Sequence, residues 1–117
     1  MANEVRNFDV WTVNLRHVEG SHVQSGYRPV LIVSTDEVNR YSPVVTVLPL
    51  TSKEKAMHLF SHVRIRMDGH EESSTALVEQ ITTIDKDRLV RKAGRVTDPE
   101  AREKVRYAIS RFLNFAA

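Results

Sequence analysis

The chain contains no cysteine, which excludes disulfides and thiolate metal sites and is compatible with a reducing compartment. Glycine and proline number four each, and they form neither a glycine-rich phosphate loop nor a Gly-x-Ser-x-Gly elbow. No apolar run approaches the roughly 20 residues of a membrane-spanning helix, and no basic segment followed by an apolar stretch opens the chain. A cytoplasmic protein without membrane association is expected. A strong charge of one sign is also lacking, because the net charge is only +2. Residues 1–60 balance at six basic and six acidic side chains, while residues 61–117 hold eleven against nine. So mild a bias excludes a protein that coats nucleic acid; a polyanion would be held by a few placed residues.

Metal-ligand spacing is poor as well. His58 and His62 straddle a predicted junction of loop and strand, and His70-Glu71-Glu72 lacks the second histidine of a zincin motif. No metal and no cofactor is expected. Stacking aromatics are few, with Trp11, Tyr27, Tyr41 and Phe60 available.

What is present is a globular composition, 41% hydrophobic and 27% charged over 117 residues, enough for a single domain spanning 1–117. Residues 1–8 read as a partly ordered lead-in. Asp9 to Leu15 alternate as a half-buried first strand, with Trp11, Val13 and Leu15 on one face. The polar stretch 16–27 is a long loop, and long loops without structure of their own are uncommon unless functional. Pro29–Ser34 is a second strand, and Thr35–Pro43 a capped helical turn ended before Pro43.

Val44–Thr51 is apolar on both faces and reads as a central strand. Lys53–Ser61 is a charged loop. In the next strand His62, Arg64 and Arg66 alternate with Val63, Ile65 and Met67, giving it a basic face. Thr75–Ile84 is a further strand with Glu79 and Gln80 in its middle, Asp85–Arg88 a helical turn, and Leu89–Val96 a last strand weakened by Gly94. Thr97-Asp98-Pro99-Glu100 starts a helix. Along it Ala101, Val105, Ile109, Phe112 and Leu113 form one apolar stripe, with Arg102, Lys104, Arg106 and Arg111 off it as a solvated face. The expected fold is mainly β with α: an SH3-like small antiparallel β-barrel of about five or six strands, with short helical turns and a C-terminal helix.

Arg28 stands at the mouth of a rigid strand, in Gly26-Tyr27-Arg28-Pro29-Val30-Leu31-Ile32-Val33-Ser34. A cation fixed there loses little freedom when it binds an anion. The nonapeptide by itself fits a surface ion pair better than a site. Polar residues gather at strand ends nonetheless: Gln24 and Arg28 before the second strand, Thr51 and Ser52 after the third, and Gln80 in the fifth. If the second and third strands pair antiparallel, Arg28 and Thr51 meet.

Several motifs then carry a resemblance. They are Gly20-Ser21 with Gly26-Tyr27-Arg28-Pro29-Val30-Leu31-Ile32-Val33, Asn39-Arg40-Tyr41-Ser42-Pro43, Leu48-Pro49-Leu50-Thr51-Ser52, and Glu79 through Leu89. From about Asp9 to the last helix the chain resembles the MazF/PemK (Kid) family of toxin endoribonucleases, whose fold is the CcdB/MazF-type barrel. The resemblance implies a homodimer that cleaves single-stranded RNA at short sequences without metal, leaving a 2′,3′-cyclic phosphate and a 5′-hydroxyl. It also implies a MazE-like antitoxin whose disordered acidic tail occupies the RNA groove. By motif, Arg28 and Thr51 fall on the catalytic arginine and threonine, and Ser21, Gln24, Ser52, Glu79 and Gln80 on or near substrate-contacting positions.

Arginine is a poor proton shuttle, with a pKa above about 12. His22 stands where many relatives carry an acid and is the candidate for general acid or base. Departures from the family pattern are Phe8 in place of a glycine, Phe60 in place of a proline, and Thr82 in place of an arginine. A CcdB-like topoisomerase poison and an inactive, antitoxin-binding barrel are the alternatives. Neither needs the pair Arg28 and Thr51.

Overall fold

A computed structural model of the chain describes residues 4–15, 19–23, 26–52 and 59–115. Seven strands and two helices follow one another: β1 Asp9–Leu15, β2 Gly26–Ile32, α1 Asp36–Tyr41, β3 Val44–Thr51, β4 His62–Ile65, β5 Ser74–Leu77, β6 Thr82–Asp85, β7 Leu89–Arg95 and α2 Pro99–Phe112. The strands pair antiparallel in the order β4-β5-β3-β2-β1-β7, with β6 on β3 as well. Among the described residues no pairing joins β4 to β7, so the expected barrel is open along that seam.

Both faces of the sheet are covered, as the two-sided apolar sequence of β3 demands. One face carries Val10, Leu31, Leu48, Leu50 and Ala76 and packs under Val105 and Ala108 of α2. The other carries Trp11, Val13, Val30, Ile32, Val45 and Val47 and closes over Val5 and Ile84. The helix starts as its sequence requires. Asp98 caps it by accepting the Ala101 N–H at 3.2 Å, and Pro99 sits where no intrahelical donor is needed. Its predicted stripe is used at three of five positions. Val105 is buried with Ala101 and Ile109 packed beside it, joined by Ala108, whereas Phe112 and Leu113 stay exposed.

Two further expectations change. The lead-in is packed: Val5 and Phe8 are buried, and Phe8 bonds through its N–H to Ile32 O at 2.7 Å. Phe8 has φ +67°, the left-handed region that favours glycine. Its ring compensates by lying beneath the guanidinium groups of Arg102 and Arg106, 4.9 and 5.3 Å from its centre. These arginines are therefore not simply a solvated face.

The strand expected over Thr75–Ile84 is interrupted. β5 and β6 run along the same edge of β3, but a 3-10 turn at Val78–Gln80 separates them. Leu50 faces Ala76 whereas Val47 faces Thr82, so three extra residues are looped out. An insertion of this kind re-aims the side chains it carries, here Glu79 and Gln80.

Candidate active site

The site grows from one cross-strand row. Arg28 on β2 faces Val13 of β1. The β2–β3 ladder ends at Val30 and Pro49, where Pro29 and Pro49 have no N–H to donate. Extending its register by two residues sets Arg28 across from Thr51. Thr51 in turn faces Thr75, and Thr75 faces Arg64. Directly opposed residues project to the same face, so two guanidinium groups bracket two hydroxyls. At about 4.8 Å per strand the row spans about 14 Å. The antiparallel pairing expected of the second and third strands thus holds over Val30–Ile32, and its register, continued past the end of the ladder, points Arg28 toward Thr51.

Their surroundings differ. Arg28 is half-buried, Arg64 is exposed, and Thr51 and Thr75 show only 3% and 6% of their surface. Thr51 therefore belongs to the floor of this face and not to its rim. A hydroxyl held there is suited to fixing an anion's oxygen, while the arginines supply paired donors that match a phosphate. Arg64 also donates to Ser73 Oγ at 2.8 Å, which fixes its direction.

Next along β4, His62 lies opposite Leu77, and its Nε2 meets Glu79 Oε2 at 2.7 Å. This contact is possible because the 3-10 turn lifts Glu79 off the strand path. Burial pushes the Glu79 carboxyl up. The hydrogen bond with His62, its own backbone amide and nearby Ser61 outweigh burial, and the net pKa lies below the ordinary glutamate value. Oε1 is covered and makes no bond of good geometry to the described residues. Gln80 follows, half-buried at the end of the same turn.

In sequence the stretch 19–23 falls between Leu15, the last residue of β1, and Gly26, the first of β2, which face each other two residues from Arg28. Ser21, His22 and Val23 in it are exposed, and Ser21 Oγ accepts the Val23 N–H at 3.0 Å. Ser52 is exposed directly after β3. Gln24 and His58 lie outside the described residues. Among the described residues no three His, Asp or Glu side chains converge as a metal site requires.

Sequence reasoning saw the basic face of β4 but missed Thr75, which lies across from Thr51 only through the β3–β5 register. It also missed the partnership of His62 with Glu79. The one available signal was the pair of chemically matched side chains at positions 62 and 79.

Comparison with known proteins points one way. Residues 6–113 match the family model described as a PemK-like, MazF-like toxin of type II toxin-antitoxin systems. The endoribonuclease MazF of Staphylococcus saprophyticus is 37% identical over 101 residues, covering 85% of this chain and 83% of that protein. Among solved structures, MazE-MazF from Deinococcus radiodurans superposes with a TM-score of 0.77, at 18% identity over 98% of this chain and 100% of that one. A mycobacterial endoribonuclease gives 0.76, at 23% identity over 96% and 93%. At such identities the structural matches speak for the fold, which all of them share with this chain.

Proposed function

The chain belongs to the PemK-like, MazF-like toxin family, and from that premise we propose that it is an endoribonuclease that cuts single-stranded mRNA, held in check by an antitoxin. The whole chain, 1–117, acts as one toxin domain. It works in the cytoplasm as a homodimer, and its MazE-like antitoxin presents a disordered acidic segment to the RNA groove. Among the described residues no helix is long and apolar enough to cross a membrane.

What supports this reading is the observed row Thr51, Thr75 and Arg64, to which the β2–β3 register, continued by two residues, adds Arg28, so that cations flank hydroxyls across four neighbouring strands. In-line attack by a ribose 2′-hydroxyl on the adjacent phosphorus forms the new P–O bond and breaks the P–O5′ bond. The products are a 2′,3′-cyclic phosphate and a 5′-hydroxyl. The pentacoordinate phosphate carries extra negative charge, which Arg28 opposes through two parallel donors while Thr51 holds an oxygen. The 2′-proton must leave and the 5′-oxygen must gain one. A permanently charged guanidinium transfers protons poorly, and His22, exposed in the stretch between β1 and β2, is the group assigned to that task. Ser21, Gln24, Ser52, Glu79 and Gln80 are assigned to the bound strand. Neither metal nor cofactor enters this scheme.

The test is incubation of the purified protein with end-labelled single-stranded RNA in EDTA. Fragments ending in 2′,3′-cyclic phosphate are expected, and Arg28→Ala should slow their formation by about a thousandfold with an unchanged circular dichroism spectrum. Wild-type rates from Arg28→Ala would overturn the assignment of Arg28. No fragments at all would favour a topoisomerase poison or an inactive barrel.

A further inference from the structure

Strand β4 lies at one end of the strand order and pairs only with β5 among the described residues. A cleft of about 360 Å³ runs between it and α2. Phe60, His62 and Arg64 form one wall, and Lys104 and Tyr107 the other. Two aromatic rings here face water, with 42% of Phe60 and 62% of Tyr107 exposed. Arg111 stacks over Phe60 at 4.1 Å from the ring centre, so a cation already lies on one face of that ring. Among the described residues no acidic side chain lines the cleft. Lys104 has a contact to Glu100 at 3.4 Å, but both are well exposed, and such a pair yields readily to a stronger anion.

Arg64 borders this cleft and also ends the row with Thr75 and Thr51, but its side chain leaves β4 on the face opposite Val63 and Ile65, which pack under α2. The cleft therefore adjoins the candidate active site across strand β4. Aromatic faces interleaved with cations are what an unpaired nucleotide needs, a base to stack and a phosphate to neutralise.

We propose that the cleft between β4 and α2 is a second RNA subsite, which holds one unpaired nucleotide remote from the cleaved bond, its base on Phe60 and Tyr107 and its phosphate against Lys104. The inference rests on the RNA-cleaving reading above and deepens it. Stacking tolerates any base, so this subsite sets the affinity for long strands and not the cleavage word. Ring and charge act on binding while Arg28 and Thr51 act on the reacting phosphate, so the two separate in KM and kcat.

The test compares two labelled RNAs with the same cut site, one trimmed to the shortest length the wild-type protein cleaves and one extended on both sides. The wild-type protein should favour the longer strand through KM. Phe60→Ala, Tyr107→Ala and Lys104→Ala should each raise KM for the long strand by about tenfold for a lost stack, and less for the lysine, with kcat unchanged. They should leave the short strand untouched, and Phe60→Tyr should keep the wild-type value. Equal effects on both strands, or none, would overturn the proposal while the nuclease reading stands. Unchanged RNA kinetics with weakened binding of a polyglutamate probe would give the cleft to an acidic peptide and overturn it too. Failure of the wild-type protein to cleave either strand would remove both readings together.

Discussion

Asp9 and Glu79 are carboxylates of the same sheet with basic partners, and they are used in opposite ways. Asp9 is completely buried at the start of β1. Its Oδ1 takes Arg95 Nη1 at 2.5 Å and Lys92 Nζ at 3.4 Å, and its Oδ2 takes the Arg6 N–H at 2.9 Å and the Trp11 Nε1–H at 3.3 Å. Every acceptor is used, and the bonds tie β1 to β7 and to the lead-in. Glu79 sits on a looped-out turn with one oxygen on His62 and the other covered without a well-formed bond to the described residues. A carboxylate with all its acceptor positions used is costly to remove, whereas one held mainly by a single side chain can be altered at little cost to the fold. Asp9 is therefore a lock between strands, and Glu79 a loosely held group beside His62.

Breaking the lock should give the largest effect. Asp9→Ala strands two cations, one of them only 21% exposed, and is expected to cost about 3 kcal/mol, the low end for a broken buried pair because both cations can partly rehydrate. Thermal melts should fall by about 10 °C, while cleavage per folded molecule stays at the wild-type rate. A loss under about 1 kcal/mol would dissolve the contrast.

Glu79→Gln should invert the pattern. One hydrogen bond is weakened at a stability cost of about 1 kcal/mol, but RNA cleavage should change in rate or in preferred sequence, read from mapped cut sites. A melt as low as that of Asp9→Ala, with unaltered cleavage, would make the two carboxylates alike. The contribution of Glu79 also has a pH signature. Its folded pKa is depressed, so the stabilisation is present above the ordinary value of 4.5 and is lost as pH falls through the lower folded one. The Gln variant should lack that segment of the acid limb.

The contrast between the two residues follows how far each was legible. The second and third strands could be paired in advance because a short helical turn between two apolar strands leaves antiparallel pairing as the natural outcome. The start of α2 was equally plain, since capping acts over three residues. Asp9 and Arg95 are 86 positions apart, and nothing local in either announces the other. The break at Val78–Gln80 needs no glycine or proline, being closed by the Ile81 N–H to Val78 O at 3.0 Å, so an apolar run gave no sign of it. Phe8 in place of a glycine was the one sign of a left-handed backbone there, but the α2 arginines that cover its ring are far off in sequence. Periodicity showed which face of α2 is apolar but not where the sheet beneath it stops, which is why Phe112 and Leu113 were expected to pack.

Asp68 separates burial from bonding, and its effect should be the smallest. It is exposed, yet both oxygens are engaged: Oδ1 accepts the Thr97 N–H at 3.0 Å and Oδ2 the Thr97 hydroxyl at 2.8 Å. Its own N–H donates to Arg95 O at 2.8 Å. The segment after β4 is thereby pinned to the end of β7 and to the lead into α2. The Thr97 backbone bond, followed by its hydroxyl, holds the Asp68 carboxyl below the ordinary aspartate value of 3.8. A depressed folded pKa means that this stabilisation is complete above that value and disappears as pH falls through the folded one. Asp68→Asn should therefore melt slightly below the wild-type protein at pH 7, by less than Glu79→Gln does, and the two curves should converge on acidification below 3.8. Convergence is the decisive reading, since protonation then removes from the wild-type protein what the substitution had already removed. A gap that persists unchanged into strong acid would mean that the shape of the side chain, and not its charge-assisted bonds, holds this corner.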